Sequence, residues 1–99
     1  MAKLHILIVD DEPGMLEVCS DILARLPDAD ITTEQDSRQA AEKLRTGTWD
    51  LLVTDLRMPG LNGVSLLRLA REQDENLPVL VVTAYPTVET AVETMKLGA

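Results

Sequence analysis

Apolar β-forming runs that alternate with stretches of helical periodicity leave this chain few folds to choose from. Leu4 to Val9 is almost continuous Ile, Leu and Val, the pattern of a parallel strand covered on both faces. About Asp50 to Thr54 and Val79 to Thr83 repeat it, and Ile31, Thr32 and Thr33 within Asp30 to Gln35 form a less apolar β-favouring segment suited to a sheet edge. Between them lie helical stripes. Pro13 fits a first helical turn, and Met15, Cys19, Ile22 and Leu26, joined by Leu16 and Leu23, predict a helix ending near Pro27. Asp36 or Ser37 can cap a second helix carrying Ala40, Ala41 and Leu44, with Gln39 placed to complete a capping box and Gly47 to close it. Val64, Leu67 and Ala70, widened by Leu66, mark a third helix over about Gly63 to Asp74. Val88, Ala91, Val92 and Met95 mark a fourth from about Thr87, ending before Gly98. The order is βαβαβαβα. Such alternation implies right-handed crossovers and an α/β fold with helices on both faces of a parallel sheet.

In that fold the carboxyl ends of the strands share one edge, where open α/β sheets carry their chemistry. Asp10 and Asp11 follow the first strand, Asp55 the third, and Thr83 the fourth. The first and third strands can be neighbours at the switch point, which would gather the carboxylates in one crevice. Two unit charges ~4 Å apart repel by about 4 kcal/mol at an effective dielectric near 20, so such a cluster either holds protons or recruits a cation. Magnesium, which takes carboxylate oxygens, waters and phosphate oxygens, suits it. An aspartate can be a nucleophile toward phosphorus, and phosphoryl transfer needs positioning and charge stabilisation more than acid-base groups. Asp55 is therefore the candidate acceptor. The Thr83 hydroxyl and the backbone N–H of the small residue Ala84 are candidate donors to phosphoryl oxygens.

Each element has an ordinary reading when taken singly. Asp10, Asp11 and Glu12 are also what the start of a helix favours, Asp55 can cap a turn, and a strand-end Thr is a common β-former. The joint pattern is harder to explain that way: an acid pair after strand one, Asp-x-x-Met-Pro-Gly after strand three, Thr-Ala after strand four.

Composition removes other classes. The 99 residues allow one domain, and 45% hydrophobic with 26% charged residues is ordinary for a folded globular chain. With 17 acidic against 9 basic residues the net charge is −8, which argues against direct binding of nucleic acid or an anionic membrane. The lone Cys19 offers no disulfide, and the start of the chain has neither a signal-peptide core nor a spanning helix, so a cytoplasmic location is expected.

The runs Ile6 to Glu12, Asp50 to Gly63 and Val82 to Tyr85 together resemble the receiver domains of bacterial two-component response regulators, over almost the whole chain. That resemblance implies a flavodoxin-like sheet of order 2-1-3-4 and phosphorylation of Asp55 by a sensor histidine kinase. It also implies Mg2+ held by Asp10, Asp11, Asp55 and the Arg57 carbonyl, with Thr83 as the switch hydroxyl relaying the signal to the fourth helix region. Thr83 to Ala99 is similar to receivers of sigma-54-dependent, nitrogen-regulator-type activators, which implies an ATPase and DNA-binding output in the parent protein. The chain departs from the family at its end, where a fifth strand bearing an aromatic switch residue and a lysine, and a fifth helix, are expected. These would amount to roughly 20 to 25 residues. Residues 1–99 thus read as a receiver domain incomplete at its C-terminus, with a bare fourth strand and a tendency to form a homodimer. Lys96, on the outward side of the fourth helix, is no substitute for the lysine.

Two other functions compete. A receiver-like interaction module that works without phosphorylation would use the exposed sheet edge or last helix. A metal-dependent phosphatase with an aspartyl nucleophile would want a second acid two residues on, where Arg57 stands.

Overall fold

The computed structural model describes residues 3–56, 58, 60, 62–83 and 88–99, with the side chains of 88–90 excepted. The order is β1 (Leu4–Val9), α1 (Pro13–Leu23), β2 (Ala29–Glu34), α2 (Ser37–Thr46), β3 (Leu51–Thr54), α3 (Gly63–Gln73), β4 (Val79–Val81) and α4 (Val88–Lys96). The strands form one parallel sheet in the order β2-β1-β3-β4. This is the expected α/β topology, with β1 and β3 adjacent at the switch point.

Alternation along β1 divides the interior into two layers. Leu7 and Val9 join Ala40, Leu44, Leu66, Leu67 and Ala70 beneath α2 and α3, and Ile6 and Ile8 join Leu16 and Val53 beneath α1. Both β1 faces are therefore covered, which is why its sequence is apolar at consecutive positions.

Local chemistry moves several boundaries. The first helix stops at Leu23, short of Pro27, because proline disfavours helical backbone at the residue before it; Asp28 then takes a left-handed turn at φ 63°. Leu16, Cys19 and Leu23 form its inward face, while Ile22 and Leu26 are exposed. Asp36 is the N-cap of α2, its Oδ1 accepting from the N–H of Arg38 (2.8 Å) and of Gln39 (3.4 Å). The capping-box partner is not Gln39. Glu34 Oε2 accepts the Asp36 N–H at 3.0 Å, and Glu34 Oε1 pairs with Lys43 Nζ at 2.6 Å.

Gly47 ends α2 in extended backbone rather than a left-handed cap. Space is what it supplies, since a Cβ there would sit 3.0 Å from both the Lys43 carbonyl and Trp49 Nε1, which are themselves hydrogen bonded.

At the other edge, β4 is shorter than its sequence run and only half covered. Val79 is buried in the α2–α3 layer, whereas Leu80, paired in register with Val53 and so on the α1 side, is 51% exposed. The described part of the apolar stripe expected to seat α4, Ala91, Val92 and Met95, is likewise turned outward, with Val92 41% and Met95 65% exposed. Among the described side chains of that helix Thr94 is buried, and Leu97, just beyond it, packs on the core. Polar bonds hold α4 to α3. Arg68 Nη2 pairs with Glu93 at 2.7 Å, and the Arg71 guanidinium donates to the carbonyls of Leu97 (2.7 Å), Gly98 (3.0 Å) and Leu77 (2.5 Å). The expected start of this helix at Thr87 lies outside the described residues. Among the described residues no helix is long and apolar enough to cross a membrane.

Candidate functional site

The ladder between β1 and β3 builds the site. Val9 and Thr54 are register partners, so Asp10 and Asp55, each the next residue, leave the sheet side by side. Their backbones remain tied to neighbouring strands: the Asp55 N–H donates to the Val9 carbonyl and the Asp10 N–H to the Glu34 carbonyl, both at 3.2 Å. The carboxylates of Asp10, Asp11 and Asp55 each place an oxygen within 4.8 Å of the others. Three residues that sequence reasoning selected from two separate strand ends are thus one constellation.

Their environments differ. Asp10 is buried at 5% exposure, Asp55 is half-buried and Asp11 is exposed. Burial pushes the Asp10 carboxyl above the ordinary carboxylate range. The negative charges of Asp55 and Asp11 push the same way, against the Glu12 N–H that donates to Asp10 Oδ1 at 2.9 Å. Asp55 Oδ1 accepts the Leu56 N–H at 2.6 Å, which aligns the carboxylate at the head of the following loop.

Two residues that sequence reasoning did not single out shape this loop. Thr54, buried at the end of β3, donates its hydroxyl to the Asp55 carbonyl at 3.0 Å. Gly63 begins α3 directly against that carbonyl. A Cβ at position 63 would lie far inside van der Waals contact with the Asp55 oxygen, and the Gly63 N–H closes the loop onto the Leu56 carbonyl at 3.1 Å. Both look like ordinary strand and helix-start residues in the sequence, and only the return of the loop onto Asp55 gives them a role. Gly60 takes the left-handed backbone that glycine favours, at φ +82°, and Pro59 lies outside the described residues.

From the next strand, the Val82 N–H donates to the Thr54 carbonyl at 2.9 Å. That bond carries the chain to Thr83 at the same sheet edge as Asp55, where Thr83 is partly exposed. The other two expected participants, the Arg57 carbonyl and the Ala84 N–H, lie outside the described residues.

The donor set fits a hard divalent cation. Among the described residues it offers carboxylate oxygens, with the Asp10 and Asp55 backbone fixed by hydrogen bonds independent of the charges, and at its centre is a buried carboxyl whose ionisation its neighbours oppose.

A family model described as "Response regulator receiver domain" matches residues 6–99. The chain is 35% identical over 97 residues to the transcriptional regulatory protein ZraR of Escherichia coli, covering 98% of this chain and 22% of that protein. It is 37% identical over 97 residues to the chemotaxis protein CheY of Pseudomonas aeruginosa, covering 96% of this chain and 78% of that one. A crystal structure of a response regulator receiver protein from Pseudomonas putida superposes with a TM-score of 0.87 at 30% identity, over all of this chain and 83% of the other. The chain spans about a fifth of the length of curated relatives such as ZraR (22%).

Proposed function

Because the chain belongs to the response regulator receiver domain family, whose members are phosphoacceptors rather than catalysts, we propose that Asp55 is the residue that takes the phosphoryl group. The observation that carries this is the meeting of Asp10, Asp11 and Asp55 within 4.8 Å at the switch point of the sheet. Of the three, Asp55 stands at the head of the loop and is more open than Asp10. A family of this kind implies a histidine kinase as partner.

In the proposed transfer, an Asp55 carboxylate oxygen forms a bond to phosphorus as the P–N bond to the donor imidazole breaks. The electron pair leaves on the imidazole nitrogen, and the product is an aspartyl phosphate. Asp10 and Asp11, with Asp55 and the Arg57 carbonyl, would hold Mg2+, which when bound offsets the charge of carboxylates and phosphoryl oxygens alike. Thr83 would donate its hydroxyl, and Ala84 its N–H, to phosphoryl oxygens. The response would pass from Thr83 into α4, whose hold on the body is largely polar at its described end. Transcription regulation through an output domain in a longer parent is the proposed result, in line with the name of ZraR. A cytoplasmic setting and a homodimer complete the reading.

The test is labelling of the full-length protein by a small acyl phosphate with Mg2+. Label is expected on the unaltered protein and lost in Asp55→Asn; label that survives the substitution refutes the assignment.

A second reading, an interaction module independent of phosphorylation, draws on the outward-facing Leu80, Val92 and Met95. It requires that Mg2+ leave the amide spectrum around Asp10 and Asp55 unchanged. Trp49 is a poor reporter for that titration, since it precedes β3 and so sits at the opposite end of the strand from Asp55.

A further inference from the structure

The turn into α3 carries the chain's one Asn-Gly pair, Asn62-Gly63, whereas its other asparagine, Asn76, precedes the bulky Leu77. An asparagine before glycine is open to self-modification, because no side chain shields the following backbone nitrogen from the asparagine side-chain carbonyl carbon. Asn62 is exposed, so water and hydroxide reach it. Its conformation, however, is closed to the reaction. Ring closure requires the Gly63 nitrogen to swing over Asn62 Cγ, and the extended backbone at ψ 170° holds it away. Turning that ψ would break three hydrogen bonds together: Ser65 N–H to Asn62 Oδ1 (2.9 Å), Leu66 N–H to the Asn62 carbonyl (3.1 Å) and Gly63 N–H to the Leu56 carbonyl (3.1 Å). Gly63 is also wedged against the Asp55 carbonyl, where even a methyl group has no room.

We propose that Asn62 is a deamidation site gated by opening of the α3 start, and that its isoaspartyl product unseats the backbone behind Asp55. When the turn opens, the Gly63 backbone nitrogen loses its proton to hydroxide and bonds to Asn62 Cγ. The Cγ–Nδ2 bond breaks, ammonia leaves with a proton taken from water, and a five-membered succinimide remains. Water then splits the ring. Addition at Cγ gives aspartate, whereas addition at the main-chain carbonyl carbon leaves the chain running through Cγ as isoaspartate; either way the Gly63 N–H is restored. No oxidant or reductant takes part. The two products differ in their effect on the fold. Aspartate caps a helix about as well as asparagine does. Isoaspartate lengthens the main chain by a methylene beside the residue with the least space, so Gly63 cannot return both to the Leu56 carbonyl and to its seat against Asp55. None of this requires that Asp55 accept a phosphoryl group.

In the test, the chain is aged in warm, mildly alkaline buffer, both folded and unfolded in guanidinium chloride, and digested with trypsin for mass analysis. In the unfolded chain the peptide 58–68 should gain the mass of an OH-for-NH2 exchange, divided between aspartyl and isoaspartyl forms, while the Asn76 peptide stays unchanged. In the folded chain conversion at Asn62 should be slower by about tenfold or more, the least that breaking three hydrogen bonds of ordinary strength implies. That factor should match the amide-exchange protection of Gly63 and Ser65 within about threefold, since one opening governs both. Folded and unfolded chains that convert within about twofold of each other overturn the gate. An unfolded chain in which Asn62 converts no faster than Asn76 overturns the site. The two products are then separated by chromatography. In the isoaspartyl form the Gly63 and Ser65 amides should exchange at least about tenfold faster than in the unaltered chain. The aspartyl form should keep native protection, as should an aged Asn62→Ser chain, which retains a capping oxygen but cannot form the ring. Native protection in the isoaspartyl form overturns the structural consequence.

Discussion

Replacing Asp10 by Asn should make the protein more stable in the absence of divalent cations. Asp10 is buried and ionises against two neighbours, all three offering oxygens within 4.8 Å of one another. Taking 4.8 Å as the separation, each pair of unit charges repels by about 0.9 kcal/mol at the dielectric of water and about 3.5 kcal/mol at an effective value of 20. Asp11 is exposed and Asp55 half-buried, so the lower part of that range applies. Asparagine removes two such pairs together with the cost of burying the charge, and its carbonyl oxygen can still accept the Glu12 N–H. The gain should be about 2 kcal/mol, or a urea midpoint raised by about 1 M or more at the slopes usual for small domains. The assay is urea unfolding near neutral pH, in chelator and again in Mg2+. In Mg2+ the unaltered protein should gain about 1.4 kcal/mol for a concentration tenfold above its dissociation constant, and Asp10→Asn should gain much less. A variant that loses more than about 1 kcal/mol in chelator refutes the reasoning, because the carboxylate would then contribute more as an acceptor than its charge costs.

Gly63→Ala should cost about 3 kcal/mol or more, because the added methyl collides with the Asp55 carbonyl at a helix start that cannot move without opening the loop; thermal unfolding measures it. The Lys43 ammonium, then the Asp36 N–H, hold the Glu34 carboxyl below its ordinary value of 4.5. The stability this contributes is therefore complete above about 4.5 and is lost as pH falls through the depressed folded value. Since Lys43 is 37% exposed, the size should be at most about 1 kcal/mol, seen as a shallower acid limb of the urea midpoint in Glu34→Gln. Arg71→Gln should cost about 2 kcal/mol by releasing the carbonyls of Leu77, Leu97 and Gly98, and amide exchange should accelerate in the last turn of α4 before it does elsewhere.

The elements that could be read from the sequence are those whose partners lie on both sides. Leu4 to Val9 gave its strand to the residue because β1 is sandwiched between helical layers, and consecutive apolar residues have no other soluble explanation. At the sheet margins the same signal misleads. Val79 to Thr83 has a similar run, yet β4 ends at Val81 with Leu80 exposed, because hydrophobicity records what a residue can bury and not what is there to cover it. The α4 stripe fails for that reason too. Its described apolar residues, Ala91, Val92 and Met95, face out, and polar bonds from Arg68 and Arg71 reach it and the residues just beyond it across 25 and 26 residues of sequence that no local periodicity contains.

The grouping of Asp10, Asp11 and Asp55 was legible because these residues follow the ends of strands, and strand ends converge once the topology is known. What the sequence could not convey is how firmly the carboxylates are held together. Asp55 is pinned through the Val9 carbonyl and Asp10 through that of Glu34, while Thr54 and Gly63 brace the Asp55 carbonyl from either side. These bonds belong to the backbone and to neutral groups, so they do not relax when the carboxylates repel. The sheet thus carries the electrostatic cost in advance, and a cation or the loss of a charge recovers it. A loop-borne cluster would spread apart and forfeit that energy. For the same reason Asp10→Asn and Gly63→Ala should shift stability in opposite directions although both act at one site: the first removes a strain that the scaffold bears, and the second breaks the scaffold that bears it.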